Sequence, residues 1–241
     1  TMGISINLIL KSGQHKLKKG GAKSPVLEAN LLLEHCSSRT LESIIAHPEG
    51  TVPRNIKNKF VRLVERRING EPISYLCQES YFYSKRYFID KGVFIPRPET
   101  ELLVETVVSE IKKNPSTGLI CLDMCTGSGC IGLSIVDEAI NIKKVFLVDN
   151  STKALKCCMA NQKIMQVEGK TKIVFSNLFQ NVPKIKFDYI FSNPPYVTEE
   201  EYEMLNPSIK KYEPKRALFS RLNGLDHIRK IALGGTKFLR K

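Results

Sequence analysis

From Pro25 to Ile68 apolar residues return at the spacing of one helical face, and the residues between them mark three helices. Leu27, Leu31, Leu32 and Cys36 follow Ser24, which can cap, and Pro25, which suits the first helical position. Thr40 can cap a shorter helix through Ile44 and Ile45 that ends near His47-Pro48; Ile56, Phe60, Leu63 and Ile68 line a third that stops at Gly70. Short loops between antiparallel helices predict a small bundle. Between Tyr75 and Ile95 the period changes, and Tyr81-Phe82-Tyr83 and Tyr87-Phe88-Ile89, separated by Ser84-Lys85-Arg86, predict a β-hairpin. Pro96 and Pro98 stiffen the run from Phe94 to Glu101, which serves either as a rigid linker or as a wall of a pocket, and Pro98 can begin a helix that Leu102, Leu103, Val107 and Ile111 continue. Beyond Asn114-Pro115-Ser116 strands and helices alternate. Strands are predicted at Leu119 to Met124, Val145 to Val148, Ile173 to Phe175 and from Phe187 to Ser192, with helices through Ile140 and about Met165 between them. Two more helices follow, near Glu199 to Leu205 and from Leu225 to about Leu239. The alternation predicts an α/β domain, and the expected organisation is a helical domain over 1–74, a hairpin linker over 75–97 and the α/β domain over 98–241.

Two of the predicted strand ends carry chemistry. The strand from Phe187 runs into Asn193-Pro194-Pro195-Tyr196, and proline cannot donate to a ladder, so pairing must stop there. Asn193 therefore stands at a strand's carboxyl end, where open α/β sheets bind ligands. Its side-chain oxygen and the carbonyl of Pro194 can accept both N–H groups of a planar amide or arylamine, which aims the nitrogen lone pair outward. Tyr196 can stack on the same planar group.

The run Cys125-Thr126-Gly127-Ser128-Gly129-Cys130-Ile131-Gly132 has the spacing of a nucleotide-binding turn, in which glycines let backbone approach a ligand and free N–H groups open a helix. Asp149, at the next strand's end and 22 residues past Gly127, can hydrogen-bond both hydroxyls of a ribose. A dinucleotide would satisfy Gly127-x-Gly129-x-x-Gly132 but leave the Asn193 corner without a task. S-adenosylmethionine uses the same nucleoside geometry and turns an electrophilic methyl toward later strand ends, so both halves are used.

Composition narrows the class. A chain of 241 residues has room for a catalytic domain and a smaller companion, and 42% hydrophobic with 25% charged residues is ordinary for a soluble globular protein. No stretch approaches the roughly 20 apolar residues of a membrane span, and no signal-peptide pattern is present. The expected location is the cytoplasm, or an organellar matrix in a eukaryote. Thr1, ahead of Met2, is set aside. Seven cysteines, an odd number without a CxxC pair, argue against a disulfide framework and a zinc site, and the four histidines have no ligand spacing, so no metal is expected. The net charge of +13 is uneven: residues 1–90 carry a net +6 and residues 204–241 a net +8, around a nearly neutral middle. That distribution suits an RNA-rich or otherwise acidic partner, and equally a solvated lysine-rich surface.

The motifs together resemble the HemK-type protein glutamine methyltransferases that modify peptide chain release factors. Ser24-Pro25-x-Leu27-Glu28-Ala29-x-Leu31-Leu32-Leu33 is similar to that family's amino-terminal helical domain, and Gly70-Glu71-Pro72-Ile73-Ser74-Tyr75-Leu76 to its connecting segment. Ile95-Pro96-Arg97-Pro98-Glu99-Thr100-Glu101 is specific to the family, and Leu122-Asp123-Met124-Cys125-Thr126-Gly127-Ser128-Gly129 resembles its cofactor loop. The Asn193 tetrad is also shared with methyltransferases acting on the amino group of adenine in DNA; the Arg97-Pro98-Glu99 run favours the first family. The resemblance implies a Rossmann-like class I fold and transfer of a methyl group from S-adenosylmethionine to the glutamine of the release factors' Gly-Gly-Gln loop. It also implies that Cys125, Thr126, Gly127, Ser128, Gly129, Asp149 and Leu178 bind the cofactor, that Asn193 contacts cofactor and substrate, and that Pro194, Pro195 and Tyr196 complete the substrate pocket.

Two departures stand out. Ser176-Asn177-Leu178-Phe179 replaces a loop that often carries an acidic residue, and the chain ends at Arg240-Lys241, where the family continues into further strands. A sheet short of its last strands is therefore expected. The mechanism expected is direct in-line transfer to the amide nitrogen, with the two carbonyl oxygens stabilising the positive charge that grows on its N–H groups. Two rival readings remain at this point: a DNA adenine amino-group methyltransferase, and a non-catalytic module that binds release factors or the ribosome.

Overall fold

A computed structural model describes residues 3–240; Thr1, Met2 and Lys241 fall outside the described residues. The chain divides into two compact units, the first ending at Gln78 and the second beginning at Glu79.

In the first unit β1 (Ile4–Ser5) pairs antiparallel with β2 (Thr51–Val52), and α1 (Ile6–Lys19), α2 (Pro25–Cys36), α3 (Leu41–Ala46), α4 (Arg54–Ile68) and α5 (Ile73–Cys77) pack around one core. Helix α1 lies outside the periodic run read from Pro25 onward. Ile6, Ile9, Leu10, Gly13 and Leu17 bury one face, and three lysines crowd the last turn. Gly13 has a packing reason: a Cβ there would meet Phe60 Cζ at 2.5 Å, so α1 and α4 approach only with hydrogen in that place. Thr40 caps α3, accepting from Ser43 N at 3.3 Å, whereas Ser24 makes no side-chain cap to α2. Arg67 forks onto Glu28 at 2.7 and 3.0 Å, and Arg66 onto Glu71 at 2.8 and 2.7 Å, so two buried carboxylates tie α4 to its neighbours in fixed directions.

The second unit opens with a hairpin, β3 (Glu79–Phe82) and β4 (Lys85–Phe88). Its turn is Tyr83-Ser84 rather than Ser84-Lys85-Arg86. Both residues have positive φ, 50° and 59°, which makes the two-residue turn whose twist matches the strands. After a 3-10 turn at Pro98–Thr100 come α6 (Glu101–Lys113), β5 (Leu119–Met124), α7 (Cys130–Glu138), β6 (Ile142–Asp149), α8 (Thr152–Ile164), β7 (Thr171–Phe175) and β8 (Tyr189–Ser192). Then follow α9 (Glu199–Met204), α10 (Pro207–Tyr212) and α11 (Asp226–Gly235).

Strands β5 to β8 form one parallel sheet in the order β7-β6-β5-β8, with α7 and α8 supplying the crossovers from β5 to β6 and from β6 to β7. This is the open, doubly wound arrangement whose order reverses beside β5. Phe187 stands outside β8: its N–H donates to Phe238 O at 2.8 Å and its carbonyl accepts from Arg240 N at 2.9 Å. The last helix ends at Gly235 instead of near Leu239 because the chain turns there to lay Phe238 and Leu239 beside Phe187. Phe187 also meets Phe146 edge-on at 5.4 Å, inside the cluster of Leu122, Met124 and Val148.

The hairpin is held against the sheet unit by buried polar contacts. Tyr87, fully buried, shares a hydrogen bond of 2.6 Å with Ser134 Oγ on α7 and donates to Cys130 O at 3.3 Å. Removing the phenolic oxygen strands the Ser134 hydroxyl in an apolar place. Tyr87→Phe is expected to lower unfolding free energy by about 1–2 kcal/mol, read as a shifted urea midpoint with unchanged slope; a midpoint equal to wild type would remove this contact from the account.

Candidate active site

The parallel register decides what meets at the sheet's carboxyl edge. Met124 is opposite Val148 on one side and Ser192 on the other, so the turn after β5, the acid ending β6 and the Asn193 corner after β8 leave the sheet at one level. Ser192 Oγ donates to Met124 O at 2.5 Å and fastens two of these exits.

The turn after β5 is shaped from below by Asp123. That side chain is fully buried; its Oδ2 accepts from Thr126 Oγ1 at 2.6 Å and from Gly132 N at 3.0 Å, while Oδ1 has no partner among the described residues. Thr126 N donates to Val148 O at 2.9 Å, and Gly129 N to Thr126 O at 2.9 Å, closing the turn before α7. Gly129 sits at φ +85°, with a Cβ there only 2.7 Å from Cys158 Sγ, so both conformation and packing call for glycine. A polar anchor stands on the other side too. Asn161 on α8 accepts from Phe88 N at 2.6 Å and donates to Phe88 O and to Ser128 O, each at 2.9 Å, stitching the hairpin to the turn.

Asp149 Oδ2 accepts from Gly127 N at 2.9 Å and Oδ1 from Ser151 N at 2.8 Å. Burial pushes its carboxyl above the ordinary aspartate range, against the pull of these N–H groups and of Arg216. Each oxygen keeps a lone pair that a hydroxyl can use. At the opposite end Asn193 Nδ2 donates to Thr100 Oγ1 at 3.3 Å, so the amide's nitrogen is engaged and its oxygen is the end offered to an incoming donor.

Between these ends lies one cavity of about 270 Å³. Cys125, Thr126, Gly127, Ser128, Asp149, Leu178, Asn193 and Pro195 all line it. Gly129 lies behind the wall as the residue before α7, Pro194 is not among the lining residues, and Tyr196 stands outside with 55% of its surface exposed. Other residues complete the walls. Phe94, Pro96 and Thr100 come from the proline-stiffened run, for which a pocket wall was one of the two readings of the sequence. Arg216, Phe219 and His227 come from loops and a helix start with no motif at all. His227 is held by Ser220 Oγ at 2.8 Å from Nδ1, and burial lowers its pKa. Cys125 is a wall group rather than a nucleophile: burial first, then Asp149 and Asp123, push its thiol up to about 12. Among the described residues no cluster of His, Cys, Asp or Glu is arranged to hold a metal, and no helix is long and apolar enough to cross a membrane.

A nucleoside fits these surroundings. The place a Cβ would take at Gly127 has no atom within 4 Å, an open space beside the Asp149 carboxylate, and Leu178 supplies an apolar face farther along the wall. A parallel sheet in this order, with a glycine turn after its central strand and an acid ending the next, is the fold of class I methyltransferases, and the Methyltransferase small domain family matches residues 89–211. The PrmC N-terminal domain family matches residues 9–77. The chain belongs to the release factor glutamine methyltransferase family. It is 36% identical to the release factor glutamine methyltransferase of Clostridium botulinum, over 90% of this chain and 76% of that one. With the enzyme of the same name from Thermodesulfovibrio yellowstonii it is 41% identical over 73% of this chain and 63% of the other. A bifunctional methyltransferase of Rickettsia typhi matches 99% of the chain at 35% identity, and there the chain spans about half, 49%, of the relative's length.

The buried acid beneath the turn gives the fold a pH signature. Burial, which outweighs the bonds from Thr126 and Gly132, raises the Asp123 pKa from 3.8 to about 7. The folded chain therefore binds this proton more tightly than the unfolded one. Its contribution to stability is complete below the unfolded pKa near 4 and is lost as the pH rises through about 7. In Asp123→Asn that contribution should vanish, so that between about pH 5 and about pH 8 the variant gains on the order of 2 kcal/mol relative to wild type in urea unfolding. A difference between the two proteins that stays constant with pH would show Asp123 to titrate normally.

Proposed function

We propose that this chain transfers a methyl group from S-adenosylmethionine to the side-chain amide nitrogen of the glutamine in the Gly-Gly-Gln loop of peptide chain release factors, a step in translation termination. The observation that carries this reading is the single cavity joining the Gly127–Asp149 end to the oxygen of Asn193. Family membership supports the substrate class.

When bound, S-adenosylmethionine supplies an electrophilic methyl carbon. The backbone from Cys125 to Gly129 would border its nucleoside, Asp149 would accept the ribose hydroxyls, and Leu178 would face the adenine. Asn193 Oδ1 and the Pro194 carbonyl would accept the two N–H groups of the glutamine amide. An amide nitrogen is a weak nucleophile because its lone pair is delocalised; acceptors on both hydrogens would stabilise the positive charge that grows on the N–H groups as the new bond to carbon forms. Dipoles fixed in this way are worth about 3–4 kcal/mol by analogy with oxyanion holes. As the nitrogen gains its bond to the methyl carbon, the pair of the S–C bond would stay with the sulfur, leaving S-adenosylhomocysteine, and the nitrogen would release one proton to solvent. Thr100 keeps the Asn193 oxygen facing the acceptor, Pro195 forms wall, and the exposed Tyr196 ring is available to cover an entering loop.

The helical domain over residues 1–74 would recognise the release factor, and the basic segment 204–241 would suit work close to ribosomal RNA. Such a role places the chain in the cytoplasm or an organellar matrix.

Incubation with methyl-labelled S-adenosylmethionine tests the proposal directly. Label should enter a release factor and not its variant lacking the loop glutamine; label in adenine-containing DNA, or in neither, would replace this reading with one of its rivals. Asn193→Ala should lower transfer at least about a hundredfold while S-adenosylhomocysteine still binds, and near-normal turnover would remove the amide clamp. Asp149→Ala should weaken S-adenosylhomocysteine binding about tenfold or more by calorimetry, the loss of charge-assisted bonds to the ribose; unchanged affinity would sink that assignment.

A further inference from the structure

We propose that the ion pair between Arg97 and Glu213 positions the methyl acceptor by locking two walls of the cavity to each other from behind. The inference rests on the methyltransferase reading above and adds two residues to it that touch neither ligand.

Glu213 follows α10, and its side chain is only 2% exposed. Its Oε1 accepts from the Arg97 guanidinium at 2.6 Å and its Oε2 from Ile95 N at 3.3 Å, so one carboxylate grips the proline-stiffened run at two points. The guanidinium lies 4.9 Å from the centre of the Phe94 ring, which fixes its plane. Neither Arg97 nor Glu213 lines the cavity, but their neighbours do: Phe94, Pro96 and Thr100 on one side, Pro214, Arg216 and Ala217 on the other.

The segment after Glu213 belongs to no strand or long helix. It is held instead by hydrogen bonds to three parts of the site. Leu218 O accepts from Tyr196 N at 3.1 Å and Val197 N at 2.8 Å, and Ser220 N donates to Val197 O at 2.9 Å. Arg216 donates to Asn150 O at 3.0 Å, next to Asp149. Glu213 supplies the third tie, to the run that ends in Thr100, the partner of Asn193. A buried ion pair is a weak source of stability, because desolvation offsets most of its attraction; what it supplies is direction. Here the direction set is that of Thr100 and, through it, of the acceptor oxygen.

Replacing both charges avoids leaving one buried and unpaired, so the test uses Arg97→Met with Glu213→Leu in the full chain, beside Arg97→Lys. In the double variant the thermal transition should fall by only a few degrees, the cost of the Ile95 N–H that Glu213 no longer accepts, and S-adenosylhomocysteine affinity should stay within about threefold of wild type, while kcat/KM for the release factor falls about a hundredfold, the scale of a misplacement near 1 Å. Arg97→Lys, which keeps the charge, should recover most of that loss. In ligand-free protein, amide exchange at Tyr196 and Val197 should quicken about tenfold in the double variant as the strap loosens. A kcat/KM near wild type, or S-adenosylhomocysteine affinity falling in parallel with it, overturns the positioning role. If the wild type methylates no release factor, the substrate reading fails alone; exchange at Tyr196 and Val197 then decides the inference, quickening in its favour and unchanged rates against it.

Discussion

Everything at the carboxyl edge depends on strands ending flush. Parallel pairing of β5 with both β6 and β8 in the register Val148–Met124–Ser192 brings three loops out of the sheet side by side. Slipping β8 by one residue would turn Asn193 to the other face, since side chains alternate across a sheet. The bond from Ser192 to the Met124 carbonyl resists that slip at the point where it would do most harm. A glycine turn, an acid and an amide then share one hollow without any of them reaching far.

Around that edge, direction is set by buried polar side chains more than by apolar packing. Apolar contacts in the cluster of Leu122, Phe146 and Phe187 hold the layers together but tolerate rotation, whereas a hydrogen bond weakens steeply off axis. Asp123 fixes the turn from beneath, Asn161 fixes it from the α8 side, and Ser176 Oγ, donating to Leu178 O at 2.6 Å, shapes the loop that presents Leu178. The helical unit uses the same means in its Arg–Glu forks. These groups are buried where an unsatisfied partner would be expensive, so each constrains its surroundings to one arrangement.

What could be read from the chain beforehand follows the same division. Periodicity disclosed α2, α4 and the α/β alternation because those elements bury apolar faces, and glycine spacing pointed to Gly127 and Asp149, which line the cavity, and to Gly129, which lies behind it. Helix α1 was missed although Ile6, Ile9, Leu10 and Leu17 recur at helical spacing, and Phe60 explains Gly13 on the same face once the two helices are side by side. The hairpin turn was read one residue too late, since Tyr83 and Ser84 carry no glycine or asparagine to announce positive φ. Asn161, Glu213 and Arg216 were silent for a different reason. A polar residue between helices or in a loop has no periodic context, and its partner lies 33 to 116 positions away.

The backbone of the hollow is also under tension. Cys125 and Leu178, both on its wall, hold φ at +62° and +49°, a region in which a side chain sits against its own carbonyl. Each such residue stores about 1 kcal/mol that glycine would release. Glycine at either position would relax that tension and strip a side chain from the lining, so ease of the backbone and shape of the hollow pull in opposite directions there.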